Sequence, residues 1–207
     1  MNTFLQNLTR TLFCTIVLVF SLLGFNTSNA QDSSKTAGAP QVKFATNMGD
    51  FVVEVYPDKA PKTAENFLQY VRDKHYDGTI FHRVIASFMI QGGGYDARYI
   101  ERPTRAPVMH EGLEALNKDG PRNTVGTIAM ARTNAPHSAT AQFFINVVDN
   151  GFLDPSPQQP GYTVFGKVVS GMDVVNRIRA TPTGFGGPFP TDVPKTQVVI
   201  KSATLLP

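Results

Sequence analysis

The sequence predicts a mainly β fold of about eight strands and two helices, joined by short connections. The 207 residues include 17 Gly and 15 Pro, a content that favours many turns over a helical bundle. Short runs of β-branched and aromatic residues recur between those turns, whereas only two segments have helical periodicity. The length fits one domain with extensions.

The first thirty residues have the pattern of a secretory signal peptide. Arg10 precedes a 15-residue apolar run, Thr11–Phe25, and residues 28–30 (Ser-Asn-Ala) provide a small-residue cleavage site. An uncleaved membrane anchor is the alternative, but it would need roughly 20 apolar residues. Residues 31–40 are small and polar, so we predict a disordered lead-in to a domain spanning 41–207.

Cleavage after residue 30 would leave a periplasmic protein that is free of the membrane. Cys14, the one cysteine, lies in the removed segment, so the mature chain has no thiol chemistry. Loss of Arg10 lowers Lys plus Arg from 19 to 18 against 16 Asp plus Glu, which leaves a charge of +2. A charge so small and scattered gives no support for nucleic acid or an anionic membrane as a partner.

The mature chain begins with a predicted β-hairpin followed by a helix. The runs Val42–Thr46 and Asp50–Tyr56 flank a turn signal. Pro61 marks the first turn of the helix, where proline is tolerated. Its apolar face, expected to pack on one open end of the sheet, comprises Ala64, Phe67, Leu68 and Val71.

Residues 81–91 are an apolar, strand-like run in which two polar residues, Arg83 and Gln91, are set. Because side chains alternate along a strand, these two share a face with Met89, and Phe88 joins them only if the strand bends. A fixed cation, an amide and large apolar groups suit a neutral substrate that carries a carbonyl. The alternative is an ordinary barrel strand whose arginine reaches solvent.

The rest of the chain supplies further strands, a turn and a second helix. The glycine triplet 92–94 predicts a bulge or a close backbone approach, since no Lys-Ser or Lys-Thr follows as in a phosphate loop. Residues 95–125 are predicted to be an irregular surface excursion. The later segments are strands at Gly126–Ala131, Ala141–Val147, Tyr162–Val169 and Gln197–Ala203, a tight turn at Asp149–Asp154, a helix at Ser170–Arg179 and a Gly/Pro-rich stretch at 181–194.

Reactive side chains do not form a pattern for covalent chemistry. The four histidines have no paired spacing, which argues against zinc. No nucleophile-elbow signature or carboxylate pair stands out. His82 has the opposite parity to Arg83 and is expected to face away from it. What remains is a site of Arg, Gln and apolar residues, which suits a reaction in which no covalent bond breaks.

Linked motifs in a fixed order resemble the cyclophilins, the peptidyl-prolyl cis–trans isomerases, over nearly all of residues 41–207. They are Phe-His-Arg-Val, Phe-Met-Ile-Gln-Gly-Gly, Met-Ala, Gln-Phe-Phe-Ile, Phe-Leu-Asp and Val-Phe-Gly-Lys-Val. The likeness is greatest to exported bacterial members. The resemblance implies a closed eight-stranded antiparallel barrel capped by two α-helices, and isomerisation of X–Pro bonds without cofactor or metal.

The resemblance also assigns the site. Arg83 would hydrogen-bond the prolyl nitrogen of the twisted amide, with Gln91 as the second catalytic residue. Gln142 and the backbone near Arg132 would hold carbonyl and amide groups of the peptide. The substrate-binding residues implied by the family are Phe88, Met89, Ala131, Arg132, Gln142, Phe144, Phe152, Leu153 and Tyr162.

Three positions depart from the cyclosporin-sensitive members. Phe152 stands in place of Trp, Tyr162 in place of His, and Arg132 in place of Asn within a loop one residue longer. Isomerase activity is expected to survive these changes. Inhibitor binding and the preference for side chains around proline are expected to differ.

The predicted function is therefore that of a monomeric periplasmic isomerase that assists the folding of exported polypeptides. Its predicted partners are unfolded or flexible proline-containing chains. The alternative from another class is a non-catalytic prolyl-peptide binder or chaperone that uses the same groove. The presence of Arg83 favours the enzyme.

Overall fold

A computed structural model describes residues 38–207 of the chain. The predicted signal peptide, residues 1–30, and most of the predicted lead-in lie outside the described residues. The described part runs straight into the first strand, and the Pro40 carbonyl accepts a 2.8 Å hydrogen bond from the Val55 N–H.

The strands of residues 38–207 form two antiparallel sheets. Their bounds are β1 Gln41–Thr46, β2 Gly49–Val55, β3 Thr79–Ile85, β4 Met89–Asp96, β5 Thr127–Met130, β6 Phe143–Asn146, β7 Val164–Ser170, β8 Thr183–Gly186, β9 Phe189–Pro194 and β10 Ile200–Leu205. The large sheet has eight strands in the order β10-β1-β2-β7-β5-β6-β4-β3. The two remaining strands, β8 and β9, pair with each other as a separate hairpin.

The two outer strands of the large sheet come together and nearly close it into a barrel. Ile80 of β3 forms an antiparallel bridge with Val199, which precedes β10. On its other side β10 pairs with β1, where Leu205 lies opposite Val42. The eight-stranded antiparallel barrel implied by the resemblance is therefore confirmed.

Three α-helices accompany the barrel within residues 38–207: α1 Pro61–Arg72, α2 Gly112–Asn117 and α3 Met172–Arg179. α1 buries the predicted apolar face, and α1 and α3 are the two expected helices. The short α2 lies in the segment expected to be irregular. Beside it the buried carboxylate of Glu111 accepts a 2.7 Å hydrogen bond from the Thr63 N–H and so caps α1. None of these helices has both the length and the hydropathy to cross a membrane.

Aromatic rings fill the barrel interior. Phe44 of β1 stacks on Phe51 of β2 with centroids 4.9 Å apart, and Phe67 of α1 lies 4.9 Å from Phe165 of β7. All four are fully buried. Since burial of one large apolar side chain contributes about 1.5–3 kcal/mol, this interior stabilises the strands that carry the site.

The stretch predicted as one strand is a hairpin. β3 ends at Ile85, the chain turns through Ala-Ser-Phe, and β4 begins at Met89. The Phe88 N–H donates to the Ile85 carbonyl at 2.9 Å and closes the turn. The single-strand prediction is wrong because this turn contains no Gly, Pro, Asn or Asp. Arg83 and Gln91 therefore lie on neighbouring strands.

The glycine triplet permits close approach at β4, as predicted. Gly93 has φ +84, and a Cβ there would lie 2.8 Å from the Tyr76 ring. A Cβ at Gly94 would lie 2.5 Å from Cγ of Gln142. Only glycine lets Gln142 pack directly on this strand.

Candidate active site

Arg83 of β3 and Gln91 of β4 are direct cross-strand partners. The Arg83 side chain is 44% exposed, and its guanidinium donates no hydrogen bond to another residue of the range 38–207. The nearest carboxylate oxygen in that range, Oδ2 of Asp192, lies 3.9 Å from Nε. A permanently charged group with five N–H donors is thus left open to a ligand.

Gln91 and Gln142 form an amide pair beside this arginine. Nε2 of Gln91 donates to Oε1 of Gln142 at 3.0 Å, and both side chains are half-buried. The contact with Gly94 restricts Gln142 further. Each amide keeps donors and acceptor lone pairs that this hydrogen bond does not use. The pair can therefore bind carbonyl and N–H groups of a peptide at fixed positions.

An apolar cluster lies next to the polar pair. Four of its members are buried, namely Met89, Ala129, Phe144 and Val164, and five are partly buried against them, namely Ile85, Phe88, Ala131, Leu153 and Tyr162. Phe152 extends this surface, since its ring stacks on that of Phe88 with centroids 5.7 Å apart. The structure therefore brings together the apolar residues that the sequence proposed. Met89 and Phe144 form the floor, because they are at most 4% exposed.

A cavity of about 450 Å³ opens over Arg83. Its volume lies in the range of small-ligand sites. Six predicted site residues line it, namely Arg83, Gln91, Ala131, Arg132, Gln142 and Tyr162. Six more residues line it that no sequence motif indicated, namely His82, Tyr95, Phe189, Pro190, Thr191 and Asp192. Four of the missed residues belong to β9, in the stretch predicted only as Gly/Pro-rich, where no alternation indicated a strand.

The sequence matches a family model over almost all of the described barrel. The model is that of the cyclophilin type peptidyl-prolyl cis-trans isomerase/CLD family, and the match spans residues 41–205. The chain is a cyclophilin-type peptidyl-prolyl cis–trans isomerase. The fold and the order of the motifs both agree with this membership.

Named cyclophilin relatives include two bacterial proteins. The chain is 53% identical over 167 residues to peptidyl-prolyl cis-trans isomerase B of Escherichia coli (strain K12), covering 79% of this chain and 98% of that protein. It is 41% identical over 199 residues to peptidyl-prolyl cis-trans isomerase A of Dickeya dadantii (strain 3937), covering 96% and 99%. Both relatives carry the name of the isomerase.

A solved cyclophilin has the same fold. The crystal structure of a cyclophilin type isomerase of Cryptosporidium parvum, in the presence of the dipeptide Ala-Pro, superposes with a TM-score of 0.64 at 24% identity. The match covers 81% of this chain and 99% of that one. At that identity the likeness establishes the barrel alone.

Arg132 of this cyclophilin is engaged by the protein itself. Its Nε and Nη2 donate to the Gly161 carbonyl at 3.0 and 2.7 Å, and its Nη1 donates to the Thr133 carbonyl at 2.8 Å. Its Cζ lies 4.7 Å from the centre of the Tyr162 ring, a cation–π contact. With these partners Arg132 forms a fixed wall of the cavity, and Tyr162 in turn packs edge-on against Phe144.

A buried polar network, which the sequence analysis did not identify, holds the two turns of the apolar cluster. Asn150 donates through Nδ2 to the Phe88 carbonyl at 2.9 Å and to Oδ1 of Asn146 at 2.8 Å. Asn146 donates to Oγ1 of Thr127 at 2.9 Å. Buried asparagines that satisfy one another fix backbone positions. The network therefore links the Phe88 turn to the 3-10 turn Gly151–Leu153.

His82 lies in the cavity wall rather than away from Arg83. The parity expectation is wrong because the β3–β4 register shifts between Phe81 and Arg83. The imidazole packs on Tyr95 and Phe189, with centroids 4.8 and 5.3 Å away. Burial, and secondly the charge of Arg83, lower the His82 pKa to about 4, so the ring is neutral near pH 7.

Proposed function

We propose that this isomerase rotates X–Pro bonds in polypeptides exported to the periplasm and so assists their folding, with Arg83 as the catalytic donor. The observation that carries the proposal is an arginine without hydrogen-bonded partners in the described range, beside an apolar cluster and an amide pair.

The barrier to rotation is electronic. Resonance gives the C–N bond partial double-bond character and a barrier of roughly 18–20 kcal/mol. When the bond twists, the lone pair returns to the prolyl nitrogen, which then accepts a hydrogen bond. A guanidinium donor such as Arg83 stabilises that twisted state more than the planar one, and this difference accelerates rotation.

The other groups have positioning roles in the proposal. The proline ring is placed on the apolar cluster over Met89 and Phe144. Gln91 and Gln142 hold carbonyl and amide groups of the peptide while the chain on one side of the bond rotates. The N–H of Ala131 already donates to the Gln142 carbonyl at 2.9 Å. We therefore propose that the Ala131 carbonyl is the group that accepts a hydrogen bond from the peptide. Because such contacts hold the bound peptide in position, the peptide loses less entropy when it reaches the transition state.

The cellular part of the proposal is supported by the sequence. An apolar run preceded by Arg10 and followed by Ser-Asn-Ala is the pattern of a cleaved export signal. Cell fractionation with intact mass measurement tests it: the periplasmic protein should begin at Gln31. Full-length protein in the membrane pellet would contradict it.

Measured exchange distinguishes catalysis in this groove from the alternative role of a non-catalytic prolyl-peptide binder or chaperone. Exchange spectroscopy on a peptide with both proline isomers should detect catalysed exchange by the mature chain, residues 31–207. Refolding of a protein limited by proline isomerisation should accelerate in proportion. Binding without exchange would favour the alternative.

A further inference from the structure

The β8–β9 hairpin covers one side of Arg83. Phe189 at the start of β9 lies 5.1 Å from Tyr95 and 5.3 Å from His82, between centroids, and this packing fixes the strand against β3. Four consecutive residues from Phe189 to Asp192 then line the cavity that Arg83 also lines. The hairpin is thus part of the site.

Asp192 has an uncommon backbone conformation at this position. Its φ is +66, in the left-handed region that non-glycine residues seldom adopt and in which Asp and Asn are enriched. Such conformations concentrate at functional sites. Its Oδ2 lies 3.9 Å from Nε of Arg83, and the Thr191 hydroxyl donates to the same oxygen at 3.1 Å. The carboxylate is therefore oriented by its own strand.

We propose that Asp192 is a positioning residue for Arg83, an inference that rests on the catalytic role proposed for that arginine. At 3.9 Å the two charges attract without a direct hydrogen bond. The guanidinium is therefore held near one orientation while its N–H groups stay free for the twisted amide. A shorter, bidentate pair would use those donors up. A restrained side chain loses less rotamer entropy when it engages the transition state.

The test uses Asp192→Asn, which removes the charge and keeps the shape and the left-handed tendency. Exchange spectroscopy should find kcat lowered about three- to fivefold, the effect of one partly exposed ion pair, with peptide Kd unchanged. Asp192→Gly, which removes the carboxylate and also relieves the strain of the left-handed backbone conformation, should lower kcat by the same factor. The control is Asp173→Asn on α3, an exposed carboxylate that pairs with Arg177 and should leave kcat unchanged.

A double-mutant cycle distinguishes positioning from a structural role. In an Arg83→Ala background, Asp192→Asn should have no further effect, because its partner is absent. A loss that persists in that background, or equal kcat for the wild type and Asp192→Asn, would overturn the inference alone. If Arg83→Ala itself kept the wild-type rate, the role proposed for Arg83 would fail, and the positioning role with it.

Discussion

Asn150 donates a 2.9 Å hydrogen bond to the backbone carbonyl of Phe88, although the two residues are 62 positions apart in the chain. The same amide donates to Asn146 at 2.8 Å. One buried side chain therefore joins the turn that carries Phe88 to the turn that carries Leu153. The shape of the apolar cluster depends on this link between two otherwise separate segments.

Asn150→Ala should lower both stability and peptide affinity. The Phe88 carbonyl keeps a 3.2 Å bond from the Val147 N–H, but Oδ1 of Asn146 loses its donor. A buried acceptor left without a donor costs about 1–3 kcal/mol. Urea denaturation measures the stability, and titration with a proline peptide measures the affinity. Asn176→Ala, at an exposed position of α3, should change stability by less than about 0.5 kcal/mol. Equal stabilities of the two variants would contradict the role of the network.

Arg83→Ala should lower kcat about 10²–10³-fold, by comparison with the loss of one preorganised donor elsewhere. Peptide affinity should change far less, because the prolyl nitrogen accepts a hydrogen bond only when the amide is twisted. Arg83→Lys should not restore the rate fully, since an ammonium lacks the planar fork. Exchange spectroscopy and titration on the same samples give both quantities. Arg98→Ala, at a 79% exposed side chain, is the control. A loss of affinity in proportion to rate would mean that Arg83 is only a ligand contact.

Cyclosporin should inhibit the wild-type protein weakly. Phe152 is 66% exposed and its ring has no N–H, whereas an indole in its place could donate a hydrogen bond to the inhibitor. Phe152→Trp should therefore tighten inhibition about 2- to 10-fold, as one added hydrogen bond would, with turnover largely unchanged. Inhibition constants for the two proteins provide the measurement. Identical constants would refute the explanation.

The rate should be nearly independent of pH between about 6 and 8. An ordinary histidine titrates in that range, but burial and the charge of Arg83 lower the His82 pKa to about 4. No proton-transfer step is part of the proposed mechanism. Exchange spectroscopy, which needs no coupling protease, measures kcat/KM across the range. A bell-shaped profile would reveal an acid or base in the reaction.

The same histidine should make stability depend on pH below neutrality. Its pKa is about 4 when folded and about 6.5 when unfolded, so the unfolded chain binds more protons between those values. The free energy of unfolding is therefore unaffected by His82 above about pH 6.5, and it falls as the pH decreases toward 4. Between pH 7 and pH 4.5 the wild type should lose about 2–3 kcal/mol more of its free energy of unfolding than His82→Gln does. Urea denaturation at both pH values provides the comparison. Parallel losses in both proteins would exclude His82 as the source.

Much of the site could be predicted because its residues occupy a few short, linked motifs. Arg83, Gln91 and Met89 lie within one run of the sequence, and the amide partner Gln142 lies in another. The resemblance supplied their roles, and the structure brings them together. The close approach at Gly93 was also predictable, since a glycine inside a strand often marks a bulge or a close approach of another chain segment.

The missed features depend on tertiary contacts. The Ala-Ser-Phe turn has none of the strongest turn residues and is closed by pairing of β3 with β4. The β9 residues that line the cavity with Arg83 lie within a Gly/Pro-rich segment without clear alternation, and they form a wall only through packing of Phe189 on His82. Asn150 looks like an ordinary turn residue until Phe88 is placed beside it. Each of these depends on partners distant in the sequence.

The pairing of β1 with β10 places the two ends of the barrel side by side, with Val42 opposite Leu205. A linker of a few residues would therefore join these ends without disturbing a ladder. New ends could be opened in the exposed segment 157–160, which lies outside the barrel strands. Such a circular permutant would keep every pair of neighbouring strands, but its chain would begin with the segment that leads into β7.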